Sequence, residues 1–425
     1  MYWLVEDEEQ IEVLINSGYK EAFIEVIPYN NNIHPVLNDI SLVYLRPINA
    51  RKGFMVCVTH SEGLNALNAR INALISKFDI LYCRDKKEIL HYFPSKALYD
   101  INTSFPTYIP TYTKAHDFYY QKHGELKDVN LIIPMVKHYE YCEQIYNDLK
   151  ANINNKPTKY DEFFNNTVSL VFNYLERSGI QIHKPTFEEY FHKINDKRVY
   201  TQYNLRTTTT RPSNKFKGVN YAALNKENGC RKSFIPSNNS FIEMDISAYH
   251  PSLSCRLIDY NFPTVDIHSH LQQLYGVSYK ESKELTFKQL YGGVFKQYKH
   301  LEFFSKIDIY VKETWDKFNK NGFVECPISG FIYTKEKLNN MNPQKLFNYI
   351  LQNMETSQNV LVLWDMLRIL RGYETKLVLY TYDSFLFDFK KGEEKVLNEV
   401  RDVFKKYKLN IKEIKGYDYN FEKIA

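Results

Sequence analysis

The sequence predicts an α+β protein with an antiparallel sheet, a long helical region and at least two domains. Two observations lead to this prediction: short apolar runs rich in β-branched and aromatic residues, and longer stretches in which apolar residues recur with helical spacing. The 425 residues are enough for two or three domains, and a hydrophobic content of 44% is typical of a globular chain.

The first part of the chain alternates short strands and helices. Three runs are typical of strands and two stretches of helices: 22–27, 40–45, 53–58, 65–78 and 86–92. A stretch rich in Pro, Thr and Tyr near 106–112 has no periodicity, which indicates a boundary. We therefore expect one domain over residues 1–125 and a second over 126–425.

The second part begins with helical spacing and ends in strands. Helices dominate from about 266 to 320, a hairpin pattern follows over 322–333, and a long helix is expected over 343–371. Strand-like runs precede both Asp245 and Asp383. Each of these carboxylates is therefore predicted to lie at a strand end beside a turn.

Composition narrows the class of protein. The net charge of +5 permits a polyanionic partner without requiring one. The six cysteines are scattered without a CxxC pair, which is typical of a reducing compartment and unlike a zinc site. No apolar run approaches membrane-spanning length, and the N-terminal segment lacks a signal-peptide pattern. We expect a soluble, cytoplasmic protein, in the host cytoplasm if the source is viral.

Asp245 and Asp383 are the residues that indicate chemistry most directly. Two carboxylates on one sheet can hold two divalent cations, and the main-chain carbonyl of Ile246 can join them because hard cations accept backbone oxygens. A simpler alternative stays open for each residue. Asp245 can cap the helix that follows it, and Asp383 can be an exposed turn residue of a hairpin.

A lysine and two aromatic residues share one face of a predicted helix. Lys283, Phe287 and Tyr291 are spaced by four residues, which brings them to the same side. An amphipathic helix with its lysine extended beside core aromatics is the alternative, but it gives Lys283 no reason to lie on the aromatic face. A cationic helix opposite two carboxylates is what nucleotidyl transfer requires.

Three segments carry a resemblance to a known family: 244–252, 278–292 and 380–389. In this order they resemble motifs A, B and C of family A DNA polymerases, the bacterial DNA polymerase I type. Further similarities occur at 175–182, 206–235, 266–268, 322–333, Asn348, Gln352 and 416–421. The resemblance extends from Val129 to the end of the chain. Abundant Tyr, Asn, Lys and Ile indicate a compact, phage-like member from an AT-rich genome.

The resemblance implies a right-hand polymerase fold. The palm would be an antiparallel sheet bearing Asp245 and Asp383, with helical fingers at about 266–320 and a reduced thumb. An α/β exonuclease-like (RNase H-like) domain would precede it. The implied activity is template-directed DNA synthesis, in which dNMPs are added to a primer 3′ end by two-metal nucleotidyl transfer. Two Mg²⁺ ions, which Mn²⁺ can replace, primer–template DNA and dNTPs are the implied cofactors and partners, with no membrane.

The resemblance also implies roles for individual residues. Asp245, Ile246 and Asp383 would hold the metals, and Lys283 would neutralise the α-phosphate and the leaving group. The implied nucleotide-binding residues are Lys280, Lys283, Phe287, Tyr291 and His250. The implied DNA-binding residues are Arg206, Arg211, Lys215, Lys217, Arg231, Asn348 and Gln352.

Several positions depart from the family pattern. His250 stands where the family has Glu beside the sugar, which leaves the choice between dNTPs and rNTPs open. Ser384 replaces the second acid of motif C, and Lys280 is the phosphate candidate where the family has an arginine. Only 185–206 is available for a thumb, which predicts weak DNA affinity and an accessory processivity or thumb-replacing protein. Glu25 is a single acid where the exonuclease has a metal-binding pair, which predicts an inactive N-terminal domain.

Three alternatives remain at the level of the sequence. A single-subunit RNA polymerase or a reverse transcriptase has a similar palm, and His250 keeps this alternative open. A non-catalytic nucleic-acid-binding protein that retains the fold would explain the missing thumb. A two-metal nuclease would leave the helix of Lys283 unexplained.

Overall fold

The computed structural model describes residues 3–63, 70–95, 97–111, 114–214, 219–264 and 266–421. The chain divides into two compact units, Met1–Arg177 and Ser178–Ala425. We call them the N-terminal unit and the C-terminal unit.

The N-terminal unit is built on a six-stranded sheet. Its strands are β1 (Trp3–Val5), β2 (Glu21–Pro28), β3 (Ile40–Pro47), β4 (Phe54–Cys57), β5 (Ile80–Cys83) and β6 (Leu98–Asp100). Its helices are α1 (Glu8–Ile15), α2 (Ile71–Ser76), α3 (Lys86–Tyr92), α4 (Lys114–His123), α5 (Val129–Ile132), α6 (Met135–Leu149), α7 (Lys159–Phe163) and α8 (Ser169–Ser178). The strand order is β1-β4-β3-β2-β5-β6, with β3 antiparallel to both neighbours and the remaining pairs parallel.

Alternation along β2 builds two cores, one on each face of this sheet. Ala22 and Ile24 pack in a cluster with apolar residues of α1, α2 and α3, whereas Phe23 and Ile27 pack in a second cluster with residues of α6. Successive side chains of a strand point to opposite faces, so one apolar run serves both clusters. The predicted helix over 65–78 is observed at Ile71–Ser76, and residues 64–69 lie outside the described part.

Helix α6 explains why the division between the units falls at Arg177 and not near residue 125, where the sequence indicated a boundary. Its buried face, with Cys142 and Ile145, packs against Phe23 and Tyr44 of the N-terminal sheet. Apolar spacing identified this helix as amphipathic, but spacing carries no information about which sheet the helix covers.

The C-terminal unit contains the remaining elements. Its strands are β7 (Ile180–Ile182), β8 (Arg198–Val199), β9 (Tyr203–Asn204), β10 (Ser213–Asn214), β11 (Phe234–Ile235), β12 (Ser240–Ile246), β13 (Phe323–Glu325), β14 (Ile332–Thr334), β15 (Lys376–Thr381), β16 (Ser384–Phe389) and β17 (Ile411–Gly416). Its helices are α9 (Lys184–Tyr190), α10 (Tyr249–Leu257), α11 (Ile267–Tyr275), α12 (Tyr279–Gly292), α13 (Glu302–Asn321), α14 (Pro343–Ile369) and α15 (Glu394–Lys406).

A four-stranded antiparallel sheet, in the order β15-β16-β12-β17, positions the chemistry-bearing residues. The predicted α+β class, with an antiparallel sheet, is confirmed. In this sheet Asp245 of β12 lies between Ser384 of β16 and Lys412 of β17. The two strands that lead to Asp245 and Asp383 therefore end next to each other, on the same side of the sheet.

Helix α14 is the central helix of the C-terminal unit and contacts α10, α12, α13 and α15. Its middle is buried on every side, including a polar run from Asn353 to Asn359. Residues 185–206 contain most of one short helix and two short strands, and no long helix occurs in this fully described span. None of the described helices combines the length and the apolarity needed to cross a bilayer.

Candidate active site

Asp245 and Asp383 lie side by side at the ends of adjacent strands. Asp383 occupies the turn between β15 and β16, directly before Ser384, which pairs with Asp245. The N–H of Ile246 donates a hydrogen bond of 2.9 Å to the carbonyl oxygen of Asp383. Two acids that are distant in sequence are thus joined through the backbone of their own neighbours.

The turn that carries Asp383 is held from three sides. Tyr382, its first central residue, has a φ of 58°, a left-handed conformation that two-residue hairpins require and that glycine usually supplies. The Asn359 side chain of α14 donates to the Tyr382 carbonyl at 2.6 Å and to the Tyr380 hydroxyl at 2.9 Å. The Arg211 guanidinium lies 3.7 Å from the centre of the Tyr382 ring. A strained turn fixed in this way holds its carboxylate in one place.

The environment of Asp383 favours a bound cation. The residue is exposed, but nearby protein atoms exclude water from its carboxylate, and this desolvation, with the charges of Glu355 and Asp245, raises the pKa of Asp383 to about 6. Arg211 acts in the opposite direction. A cation between Asp383 and Asp245 would remove the repulsion that raises this pKa.

A cleft of about 680 Å³ opens above the two acids and gathers most of the residues singled out in the sequence. It is lined by Asp245, Ile246, His250, Lys283, Phe287, Tyr291 and Asp383. Lys280 does not line it, and Tyr279, one helical turn before Lys283, does. The predicted metal and nucleotide residues other than Lys280 therefore share one cavity.

Helix α12 forms one wall of the cleft. A capping box between Ser278 and Glu281 starts the helix. The rings of Phe287 and Tyr291 stack with centroids 5.8 Å apart and planes 19° apart. The Lys283 ammonium lies 5.5 Å from the Tyr279 ring and makes no hydrogen bond or ion pair with any described residue. This wall thus has a cationic end and an aromatic end.

A buried network lies at the aromatic end. Glu355 of α14 is 2% exposed; its Oε2 atom is 2.6 Å from His250 Nε2, and its Oε1 atom accepts a hydrogen bond of 3.1 Å from Arg211. The Tyr291 hydroxyl is 2.6 Å from His250 Nδ1. Four residues from four parts of the chain therefore form one continuous hydrogen-bonded chain.

The predicted DNA-binding residues have different surroundings. Arg211 lies in the cleft, paired with Glu355. Arg231 is 9% exposed, and its guanidinium donates to the Leu224 carbonyl and lies 4.8 Å from the centre of the Tyr419 ring. Part of the Arg231 guanidinium is thus used inside the protein, and its contact with phosphate stays a prediction.

Three other members of this set, Arg206, Asn348 and Gln352, are half-buried. Arg206 lies in the segment before β10. Asn348 and Gln352 lie one turn apart on α14 and share a hydrogen bond of 3.1 Å. Lys215 and Lys217 lie outside the described residues.

Sequence reasoning missed charged residues of the cleft, among them Lys412 and Glu355. Lys412 belongs to no motif, and only its pairing opposite Asp245 brings it into the cleft. Glu355 had a signal in the sequence, because Glu355–Asn359 is an unbroken polar run in the buried middle of a long helix. Such a run is unusual in a helix interior and indicates a buried network.

In the N-terminal unit, Glu25 and Asp100 have partners within the protein. Glu25 is 5% exposed and forms an ion pair of 2.6 Å with Arg84. Asp100 accepts hydrogen bonds from the N–H groups of Lys86 and Asn102. Within the described parts of the chain, no group of three or more His, Cys, Asp or Glu side chains is arranged to hold a metal.

The fold is similar to that of a solved structure described as the POL domain of Pol1 from M. smegmatis in complex with DNA primer–template and dNTP. The TM-score is 0.71, the sequence identity is 11%, and the match covers 98% of this chain and 99% of that chain. No protein-family profile and no curated protein sequence matches the chain. At this identity the likeness establishes the fold of a polymerase domain.

Proposed function

We propose that this protein is a template-directed DNA polymerase of the family A type, which adds dNMPs to a primer 3′ end. One observation carries the proposal. Asp245 and Asp383 lie together at the ends of adjacent strands, and the unpaired Lys283 lines the same cleft. The likeness to a polymerase domain, whose own structure contains primer–template DNA and dNTP, supports it.

The donor set fits two divalent cations whose remaining ligands come from the substrate. Mg²⁺ is commonly bound through one or two carboxylates together with phosphate oxygens and water, and Asp245 and Asp383 supply two carboxylates. The desolvated Asp383 carboxylate favours a positive partner. Bound Mg²⁺, or Mn²⁺ in its place, would lower the pKa of the primer 3′-hydroxyl and stabilise the pyrophosphate.

The chain's own side chains would position the nucleotide. Lys283 would neutralise the α-phosphate and the leaving group, since its ammonium has no acidic partner among the described residues. The stacked rings of Phe287 and Tyr291 would face the sugar and the base. Lys280 does not line the cleft, so we assign it no more than a long-range attraction for phosphate.

We further propose that the DNA grip is weak. Arg206, Lys215 and Lys217 would contact phosphates, and Asn348 and Gln352 would face the duplex. Because 185–206 contains no long helix, an accessory protein would have to supply the grip of a thumb.

The N-terminal unit would be an exonuclease-like domain without nuclease activity. Two-metal hydrolysis needs several free carboxylates, whereas Glu25 is paired with Arg84 and Asp100 binds backbone N–H groups.

The test is primer extension by the purified chain on a primed DNA template with dNTPs and Mg²⁺. We expect incorporation by the parent and none by Asp245→Asn or Asp383→Asn, because each variant loses one of the two carboxylates. Asp402→Asn, on the exposed face of α15, is the matched control and should retain activity. Unchanged incorporation by Asp383→Asn, or an inactive parent with every candidate accessory protein, would exclude the proposal.

A second candidate is an RNA polymerase or a reverse transcriptase, because His250 in the cleft replaces the glutamate that the family has at this position. Extension with rNTPs on DNA, and with dNTPs on an RNA template, separates these activities from the first. A parent that binds primer–template DNA without extending it would instead indicate a non-catalytic binding protein.

A further inference from the structure

Glu355 is a buried carboxylate close to the two acids of the site, and the chemistry described so far does not use it. It lies in the middle of α14, and its charge is one of the causes that raise the pKa of Asp383. Burying a charge is unfavourable unless the charge is paired and hydrogen-bonded, and Arg211 and His250 satisfy this condition. Glu355, Arg211 and His250 all line the cleft.

Glu355 determines which atoms of this network donate hydrogen bonds and which accept them. Despite its burial, the hydrogen bonds from His250 and Arg211 and the charge of Arg211 hold the pKa of Glu355 below its usual range, so it is an ionised carboxylate that can only accept hydrogen bonds. His250 must therefore carry a hydrogen on Nε2 and donate it to Glu355. In the neutral imidazole the other nitrogen, Nδ1, is then an acceptor, and the Tyr291 hydroxyl donates to it. Burial raises the pKa of Tyr291, which keeps the phenol protonated and able to donate.

Helix α12 indicates which part of a nucleotide meets this network. Lys283 and Tyr291 are eight residues apart on the same face, which corresponds to about 12 Å along a helix that rises 1.5 Å per residue. If the phosphates lie at Lys283, as in the proposed function, then the nucleoside lies toward Tyr291 and His250. Both of these residues line the cleft.

The wall formed by His250 and Tyr291 therefore offers an incoming hydroxyl no free donor. The Tyr291 O–H is committed to His250, and the His250 N–H is committed to Glu355. A ribose whose 2′-hydroxyl reaches this wall loses hydrogen bonds to water and gains no donor from the wall. A deoxyribose has no 2′-hydroxyl and therefore loses no such hydrogen bonds.

We propose that Glu355 is a positioning residue for sugar selection, which acts by fixing the tautomer of His250 and thereby withholding the Tyr291 O–H from the 2′-hydroxyl of a ribonucleotide. This inference rests on the proposed polymerase function and extends it to the discrimination between dNTPs and rNTPs.

Glu355→Gln tests the direction of the network with little change of shape. Arg211 needs an acceptor, so it retains the carboxamide oxygen, and the NH₂ group then faces His250 Nε2. The histidine would take the opposite tautomer and donate from Nδ1 to the Tyr291 oxygen. The Tyr291 O–H would then be free for a 2′-hydroxyl. We expect the ratio of kcat/KM for dNTP to kcat/KM for rNTP to fall on the order of 10-fold, mainly through better use of rNTPs.

The double variant Glu355→Gln/Tyr291→Phe is the matched control. It lacks the hydroxyl that Glu355→Gln is expected to release, so its sugar ratio should equal that of Tyr291→Phe alone. An equal gain of rNTP use with and without the hydroxyl would overturn the proposal, and so would a change in base selection without a change in sugar selection.

A second measurement reports the tautomer of His250 directly, without an activity assay. Nitrogen-15 spectra of the histidine side chains, with His250 assigned by its absence in His250→Gln, report which ring nitrogen carries the hydrogen. We expect the Nε2–H form in the parent and the Nδ1–H form in Glu355→Gln. An Nδ1–H form in the parent would overturn the proposal. A parent that incorporates no nucleotide at all would refute the proposed function, whereas an active parent with an unchanged ratio in Glu355→Gln would refute this inference alone.

Discussion

The two units of this protein use charged side chains in opposite ways. In the N-terminal unit, Glu176 is fully buried. Its carboxylate oxygens lie 2.5 Å from Lys87 Nζ and 2.8 Å from His91 Nε2. In the C-terminal unit, the cleft residues Lys283 and Lys412 have no ion-pair partner among the described residues. A buried charge with internal partners holds the fold together, whereas an unpaired charge in a cleft is available to a ligand.

The cleft contains both paired and unpaired charges within a single site. Glu355 is buried and paired with the half-buried Arg211, like the paired charges of the N-terminal unit, and both residues line the cleft together with the unpaired Asp245 and Asp383. We infer that the paired charges shape the wall and that the unpaired charges meet the substrate.

Breaking the N-terminal pair should have the largest effect on stability. Glu176→Gln leaves the Lys87 ammonium buried without a counter-charge, and we expect the free energy of unfolding to fall by about 3–5 kcal/mol. Asp245→Asn removes a carboxylate that has no internal partner, so its unfolding free energy should change by less than about 0.5 kcal/mol. Denaturant unfolding of both variants measures the difference. Equal losses would show that the two kinds of charge are not distinct.

The buried histidines of the N-terminal unit should make stability depend on pH. Desolvation lowers the pKa of His116 to about 4 and that of His138 to about 3, and the two rings contact each other at 3.1 Å. Their folded pKa values lie below the unfolded value of about 6.5. The unfolded state therefore binds more protons between pH 6.5 and 4, and stability is lost as the pH falls through this window.

We expect a loss of about 2 kcal/mol between pH 7 and pH 5 for each histidine that stays neutral when folded. Denaturant unfolding at a series of pH values checks this loss. A His138→Gln variant provides the comparison, since it should lose less stability over the same range. A parent whose unfolding free energy is flat between pH 7 and pH 5 would contradict the expectation.

The acid of the cleft should show the opposite sign of pH dependence in stability. Because the pKa of Asp383 is raised to about 6, its protonated form is favoured in the fold, and its contribution to stability decreases as the pH rises through 6. Metal binding needs the ionised form, so incorporation at limiting Mg²⁺ should fall about tenfold per unit below pH 6. Raising the Mg²⁺ concentration should move this fall to lower pH, because the metal and the proton compete. A profile that ignores Mg²⁺ would argue against Asp383 as a ligand.

Substitution of Lys412 should have the smallest of these effects, and it tests a single position of the cleft. Lys412→Gln removes an unpaired ammonium of the cleft, and we expect the KM for dNTP to rise about tenfold, as for a lost charge-assisted hydrogen bond, with the melting temperature unchanged. Lys415→Gln, on the same strand but over the Phe389 ring and outside the cleft, should leave KM unchanged. Equal effects of the two changes, or an effect on DNA affinity alone, would remove Lys412 from the nucleotide site.

Local sequence patterns were sufficient for the elements that carry the candidate site. A strand-like run before Asp245, another before Asp383 and the spacing of Lys283, Phe287 and Tyr291 all depend on neighbours within one element, and the structure brings these residues to one cleft. Local periodicity follows from backbone geometry, so it can be read without knowledge of the fold.

The same patterns gave no information where the answer depended on a distant partner. Arg231 belongs to a basic segment that resembles a phosphate-binding surface, yet its guanidinium binds the Leu224 carbonyl. Helix α6 has an apolar stripe that fits many sheets, and it packs on the N-terminal one. Charge and amphipathicity indicate what kind of partner a residue or helix requires. They do not indicate which part of the chain provides that partner.

The sequence by itself determined which residues could do chemistry, because strand ends, helix faces and turns are properties of short segments. Only the tertiary structure decided which charges are available. Strand pairing brings Lys412 beside Asp245, and the packing of α14 inserts Glu355 between Arg211 and His250. Contacts between residues far apart in the chain are set by how whole elements pack, and no local pattern encodes them.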